Sequence, residues 1–294
     1  MNVKALKIIK GHNGAIYDVA SFSDEKAYTT SADKYVARWD LNKGIQDDFA
    51  VKLDVSGFKL TLSSDAKTLV IGNAKGGIHV IDLIHKKEVK FLEQHKSPIF
   101  ALTFNDKTNE FYSADAKGYF CVWDKEHFNL KLTLPFNCGK IRQIALSEDR
   151  EYIAICGQDG YVRILETKFY NEIQSFKPHN TGVNCAVFQG DFIYTGGKNA
   201  HIALWNWKEG KKHKVIPAHN YAVYDLICID NGKLLVSASF DKTIKLWNTK
   251  TLDVIQRIER KDGGHLHTVN RLAKIDEKKF LSVSDDKSLI YWSI

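Results

Sequence analysis

Residues 218–248 carry the reading that decides the fold. They run Ala218-His219-Asn220-Tyr221-Ala222-Val223-Tyr224-Asp225-Leu226 and, after a short interval, Ser237-Ala238-Ser239-Phe240-Asp241-Lys242-Thr243-Ile244-Lys245-Leu246-Trp247-Asn248. Short alternating and apolar runs separated by turn residues read as strands of an antiparallel meander. A His opens the unit, an Asp sits in its last tight turn, and a Trp closes it. Three strands of this size cannot bury their apolar faces alone. The unit therefore requires copies of itself.

Laid along the 294 residues, the unit recurs seven times, or about 42 residues per copy, the period of a four-stranded blade. The His place holds His12, Leu53, His95, Asn137, His179, His219 and His265. The Asp place holds Asp33, Lys75, Lys117, Asp159, Asn199, Asp241 and Asp286, and the Trp place Trp39, Ile81, Trp123, Leu165, Trp205, Trp247 and Trp292. Asp place and Trp place are six residues apart in all seven copies, and His and Asp places 20 to 22 apart. An apolar residue recurs four and seven residues after the His place, with Gly57 the single exception. The expected fold is all-β, a seven-bladed β-propeller of four-stranded antiparallel blades, forming a single domain over 1–294 with no linker. The seventh copy lacks a fourth strand, and the segment from Val3 to Ile9 is a spare one. It is expected to complete the last blade and close the ring, which removes exposed strand edges.

Composition is consistent with a packed core: 44% of residues are hydrophobic and 12% aromatic. The formal net charge of +7 is mild and bears on solubility more than on a nucleic-acid partner. The N-terminus has no apolar signal core, and no apolar run reaches the ~18 residues of a membrane helix. Neither signal peptide nor membrane association is expected. Cys121, Cys138, Cys156, Cys185 and Cys228 are odd in number and share no CxxC spacing. They read as small buried hydrophobes of a reducing compartment, with the cytoplasm first.

Gly11-His12 and Gly264-His265 before apolar pairs, with Trp39-Asp40 and Trp123-Asp124 at strand ends, resemble the WD40-repeat family. The resemblance covers the whole chain. It implies a propeller whose members hold partners and rarely catalyse, so function has to be argued from sites. It also implies buried tetrads of His, a hydroxyl, Asp and Trp at His12, Asp33 and Trp39, at His219, Asp241 and Trp247, and at His265, Asp286 and Trp292. Ser31, Ser239 and Ser284, two residues before the Asp places, make these sets look like hydrolase triads. A triad needs a reachable Ser and an oxyanion site; repetition around a ring fits scaffolding better. Marker loss in copies two to five implies that those blades are less rigid.

Other constellations are weaker. His265 with His267, and His213 with His219, have no cysteine at metal-ligand spacing, so neither metal nor cofactor is expected. The basic run from Lys208 to Lys214 reads as a solvated loop toward an outer strand, and Trp207 as an outer-face residue. Gly76-Gly77 and Gly196-Gly197 sit where backbone geometry asks for glycine.

The sharpest functional feature comes from position-by-position comparison. The resemblance implies docking on the face where inner strands begin, around the channel mouth. Five residues after the His place stand Tyr17, Phe58, Phe100, Arg142, Asn184, Tyr224 and Asn270; Phe240 and Lys198 precede the Asp place, and Lys140 stands three after the His place. Tyr17, Phe58, Phe100, Tyr224 and Phe240 are expected to form an aromatic arc, with Lys140, Arg142 and Lys198 as a basic sector. Aromatics beside Arg are the material of binding hot spots. The reading is a non-enzymatic scaffold, monomeric on its own, that takes a protein or peptide with an apolar anchor and some acidic residues. The alternatives are nucleic-acid or acidic-ligand binding through the basic sector, with nucleic acid disfavoured, and an enzyme site near Asp285.

Overall fold

The computed structural model describes residues 3–294 apart from Phe22 and Asp24. Twenty-eight strands form seven four-stranded antiparallel sheets, the blades of an all-β, seven-bladed propeller. The blades cover 16–52, 57–92, 99–135, 141–176, 183–217, 223–258 and 269–293. The strand Lys4–Lys10 pairs antiparallel with Ser288–Ser293 and is the outermost strand of blade seven. The side chain of Gln256 in blade six holds its approach: Oε1 accepts from the Val3 N–H at 2.8 Å, and Nε2 donates to the Val3 carbonyl at 3.2 Å.

The chain packs as two compact units, Met1–Leu60 with His219–Ile294, and Thr61–Ala218. The first boundary falls inside the strand Gly57–Leu62 rather than in a linker. In the first unit, Ile9, Ile16, Val19, Trp39, Leu281 and Leu289 fill the space between blades one and seven, and Val236, Ile244, Val269, Phe280 and Trp292 that between six and seven. In the second, Ile99, Phe104 and Phe111 pack on blade two's Val70 and Val80, and Phe120 and Ile141 join blades three and four. Trp207 is buried rather than on an outer face: it packs between Tyr152 and Phe188, with Nε1 donating to the Gly190 carbonyl at 2.9 Å. The run from Lys208 leads into the exposed outermost strand Lys211–Pro217, where lysines discourage edge-to-edge pairing.

Three marker sets share one geometry. In blade one, His12 Nδ1 is 2.8 Å from Asp33 Oδ2, Nε2 is 2.7 Å from Thr29 Oγ1, and Trp39 Nε1 donates to the same hydroxyl at 2.6 Å. In blade six the hydroxyl is Ser237, and in blade seven Ser282. Ser31, Ser239 and Ser284 are therefore not the hydroxyls on the imidazoles; each instead accepts the backbone N–H of the Asp two residues on. With a neutral ring, the Trp N–H, the hydroxyl and the imidazole form one directed relay that ends on the carboxylate. Burial pushes His219 below the ordinary histidine range. Burial works against the Asp241 carboxylate too, yet the His219 bond holds it well below the usual range.

Blade three departs from the expectation of a lost carboxylate. Lys117 stands in the Asp place, but Asp115 comes from two residues earlier and meets His95 Nδ1 at 3.0 Å, while Ser113 joins His95 to Trp123. Asp115 also accepts the turn amides of Lys117 and Tyr119. Asn73 of blade two caps the corresponding turn through the Lys75 and Gly77 amides; Leu53 and Ile81, in the His and Trp places, are buried. Asp115→Ala is expected to lower stability by about 1–3 kcal/mol, as is Asp241→Ala, because each strands buried donors. Lys117→Ala is expected to change it by less than about 0.5 kcal/mol. Urea midpoints of the three variants check this; an indifferent Asp115 variant would remove the substitution argument.

Blade five has a weaker set. His179 Nε2 keeps Thr195 at 2.9 Å, but His179 Nδ1, Asn199 Oδ1 and Trp205 Nε1 have no hydrogen-bond partner among the described residues. Burial, with no carboxylate to oppose it, pushes His179 down to about 4. Trp205 stacks on Phe176 at 4.8 Å instead of joining the hydroxyl. In blade four, Asp159 turns to Arg163 at 2.6 Å.

Candidate functional site: inner-strand bulges and the side chains they present

The first strand pair of blades one and three to seven slips register at one place. Ile16 and Asp18 are paired while Tyr17 is passed over, and the same holds for Phe100, Arg142, Asn184, Tyr224 and Asn270. A bulge leaves one residue outside the ladder and re-aims its side chain. The position five residues after the His place is thus set apart by backbone geometry, not by alternation alone.

In the first unit these side chains form aromatic groups. Tyr17 and Phe58 meet edge-to-face at 5.1 Å. Phe240 is 47% exposed and contacts Tyr224 at 6.1 Å and Tyr221, itself 61% exposed, at 5.7 Å. Tyr17, Phe58 and Tyr224 are half-buried. Burial, and then the nearby Asp285 charge, push the Tyr17 phenol up. Asp285 is fixed by Asn270, whose Nδ2 donates to it at 2.7 Å and to the Ile16 carbonyl at 2.8 Å. Tyr221 escaped the sequence reading because it stands two residues after the His place, outside the compared positions.

In the second unit, Phe100 carries two cations. Lys140 Nζ lies 4.3 Å from its ring centroid and the Arg142 guanidinium 5.7 Å. Burial, then the charges of Arg142 and Lys198, push the Lys140 ammonium below the usual lysine range. Lys198 is exposed.

One residue further along, six after the His place, sequence reading missed a buried row. Asp18 and Asp225 are 1% exposed and Lys59 7%. Lys59 Nζ lies 3.0 Å from Asp18, and Arg271 Nε is 3.3 Å from both Asp18 and Asp225. The carboxylates also accept the backbone amide of the neighbouring blade, Leu60 for Asp18 at 2.9 Å and Leu272 for Asp225 at 2.8 Å. Gln143 does the same for Ala186 in the second unit. Burial raises the Asp225 carboxyl, and Lys59, buried and near Arg271, is pushed down to about 8 despite Asp18. The signal was present: a polar residue between apolar neighbours on an inner strand. These groups are spent on one another and on the backbone.

Among the described residues no group of three or more His, Cys, Asp or Glu is disposed to hold a metal ion. Repeated blades closed by His-hydroxyl-Asp-Trp relays define a repeat propeller that displays side chains from its inner strands. The chain belongs to the WD40 family: the repeat described as "WD domain, G-beta repeat" matches residues 3–40, 86–124, 128–165, 170–206 and 210–248. Residues 41–85 and 249–294 lie outside these matches. The chain is 32% identical over 151 residues to apoptotic protease-activating factor 1 of Rattus norvegicus, covering 50% of this chain and 12% of that one. It is 21% identical over 287 residues to a U3 snoRNP-associated protein-like protein of Arabidopsis thaliana, 83% of this chain and 59% of that one. It is 26% identical over 132 residues to a p21-activated protein kinase-interacting protein 1-like of Danio rerio, 45% and 36% respectively. These matches span 12% to 59% of the length of those relatives.

Proposed function

We propose that this chain is a non-enzymatic protein-interaction scaffold and that the first unit takes a protein or peptide segment on Tyr221, Phe240 and Tyr224, with Tyr17 and Phe58. The exposed Tyr221–Phe240 pair carries the reading, since large aromatics left in water are typical of interface anchors. Rigid blades lower the ordering cost of binding. Membership of the WD40 family and the kinase-interacting relative, by its name, support a protein partner. We place the chain in the cytoplasm as a monomer. All five cysteines are free thiols, and no helix among the described residues is long and apolar enough to cross a membrane.

The test is paired capture from lysate of the source cell. One bait is the wild type; the other carries Tyr17→Glu, Tyr221→Glu and Phe240→Glu, once circular dichroism shows that both fold. A protein recovered by the wild type and absent from the variant is the expected result. A partner retained equally by both would move the site elsewhere on the molecule.

A further inference from the structure

In the second unit two cations sit on one ring, and the charge of a third acts on one of them. Lys140 and Arg142 both lie against Phe100, and Lys198 is near enough for its charge to act on Lys140. Among the described residues, no carboxylate lies within ion-pair distance of the Lys140 or Lys198 ammonium. Elsewhere the chain pairs cations as a matter of course: Arg163 with Asp159, Lys125 with Asp106, Arg38 with Asp47, Lys208 with Asp191. Like charges held together raise the free energy of the empty protein, and an anion that binds among them recovers it. The Lys140 backbone is itself held, its N–H donating to Gln158 Oε1 at 3.1 Å, so the stem of this side chain starts from a fixed point.

We infer that Lys140, Arg142 and Lys198 form a binding site for a phosphoryl group carried on a serine or threonine of a peptide segment. A phosphomonoester brings about −1.5 to −2 charges and three acceptor oxygens, enough for several cations at once, whereas a carboxylate brings one charge. Arg142 offers a planar fork for two of the oxygens, and the lysines act as point charges. Phe100 supplies apolar surface for the chain next to the phosphoserine. The grouping is compact, with a single aromatic; single-stranded nucleic acid asks for a longer basic track with successive stacking rings. The site lies wholly in the second unit and does not depend on the Tyr221–Phe240 surface.

The test uses the full chain and three fluorescent probes: a degenerate peptide pool with a central phosphoserine, the same pool with serine, and a short poly(U) strand. The wild type is expected to bind the phosphoserine pool about tenfold or more tightly over the serine pool, with a preference that shrinks as salt rises. Lys140→Gln with Lys198→Gln is expected to erase most of that preference. Its thermal midpoint should stay level or rise, since the substitutions relieve repulsion. Lys198→Gln alone, at an exposed side chain, keeps the test valid if the double variant fails to fold, and is expected to lose part of the preference. Phe240→Glu, in the other unit, is expected to leave it intact. Equal binding of the two peptide pools, or a preference the variants leave unchanged, would overturn the proposal. Poly(U) bound more tightly than phosphopeptide through the same lysines would overturn it in favour of nucleic acid.

Discussion

Asp18→Ala is expected to destabilise the protein by roughly 3–5 kcal/mol, the range for breaking a buried ion pair from one side. Asp18 accepts from Lys59 at 3.0 Å and from the Leu60 N–H at 2.9 Å, and its charge faces the Arg271 guanidinium at 3.3 Å. Removing it leaves two cations beside the single carboxylate of Asp225, one oxygen of which already has no partner among the described residues. It also leaves a buried amide without an acceptor. The measurement is the urea midpoint with the slope held constant. A loss below about 1 kcal/mol would mean that the cluster behaves like a surface pair. Asp18→Ala combined with Lys59→Met is expected to cost less than the sum of the singles, because the second substitution removes the charge that the first one orphaned.

Lys59 sets the second prediction. Burial, aided by Arg271, brings its ammonium from 10.5 down to about 8 in the folded protein. Between those values the unfolded chain holds a proton that the folded chain does not. Stability from this group therefore rises with pH across the window, since unfolding must take up a proton. Integrated over the window, the gain is roughly 3 kcal/mol. Wild type and Lys59→Met are compared by urea unfolding at neutral pH and near pH 10. The difference between them is expected to move in the wild type's favour as pH rises, whereas Lys59→Met lacks the dependence. Parallel pH profiles would mean that Lys59 is solvated or that its pairing with Asp18 keeps it charged throughout.

Both predictions rest on a position that the repeat alignment contained but did not flag. The inner strands bring apolar residues at four and seven after the His place, Gly57 excepted, and Asp18, Lys59, Asp225 and Arg271 stand between these positions. Charges there look like solvated residues on one strand. Only the neighbouring blade, some forty residues away, supplies the opposite charge and the amide. The marker sets behaved differently. His12, Asp33 and Trp39 come from one copy, so their meeting is written in its spacing, but Thr29 had no mark of its own and Ser31 looked the better hydroxyl. Asp115 shows the same limit. Comparing residues at one fixed place reports a loss at Lys117, whereas a carboxylate two residues earlier reaches the same imidazole.

The seven-fold repeat, the strand pattern of each copy and membership of the WD40 family were decided by the sequence alone. Each depends on spacings within about forty residues that recur down the chain, and periodicity survives without any knowledge of contacts. The tertiary structure decided which side chains of the compared positions share an environment. It pairs Tyr221 with Phe240 and Tyr17 with Phe58, sets two cations on Phe100, and joins the buried Asp18, Lys59 and Asp225 with the half-buried Arg271. Strand pairing places the bulge, and packing between blades brings together residues that no linear spacing links.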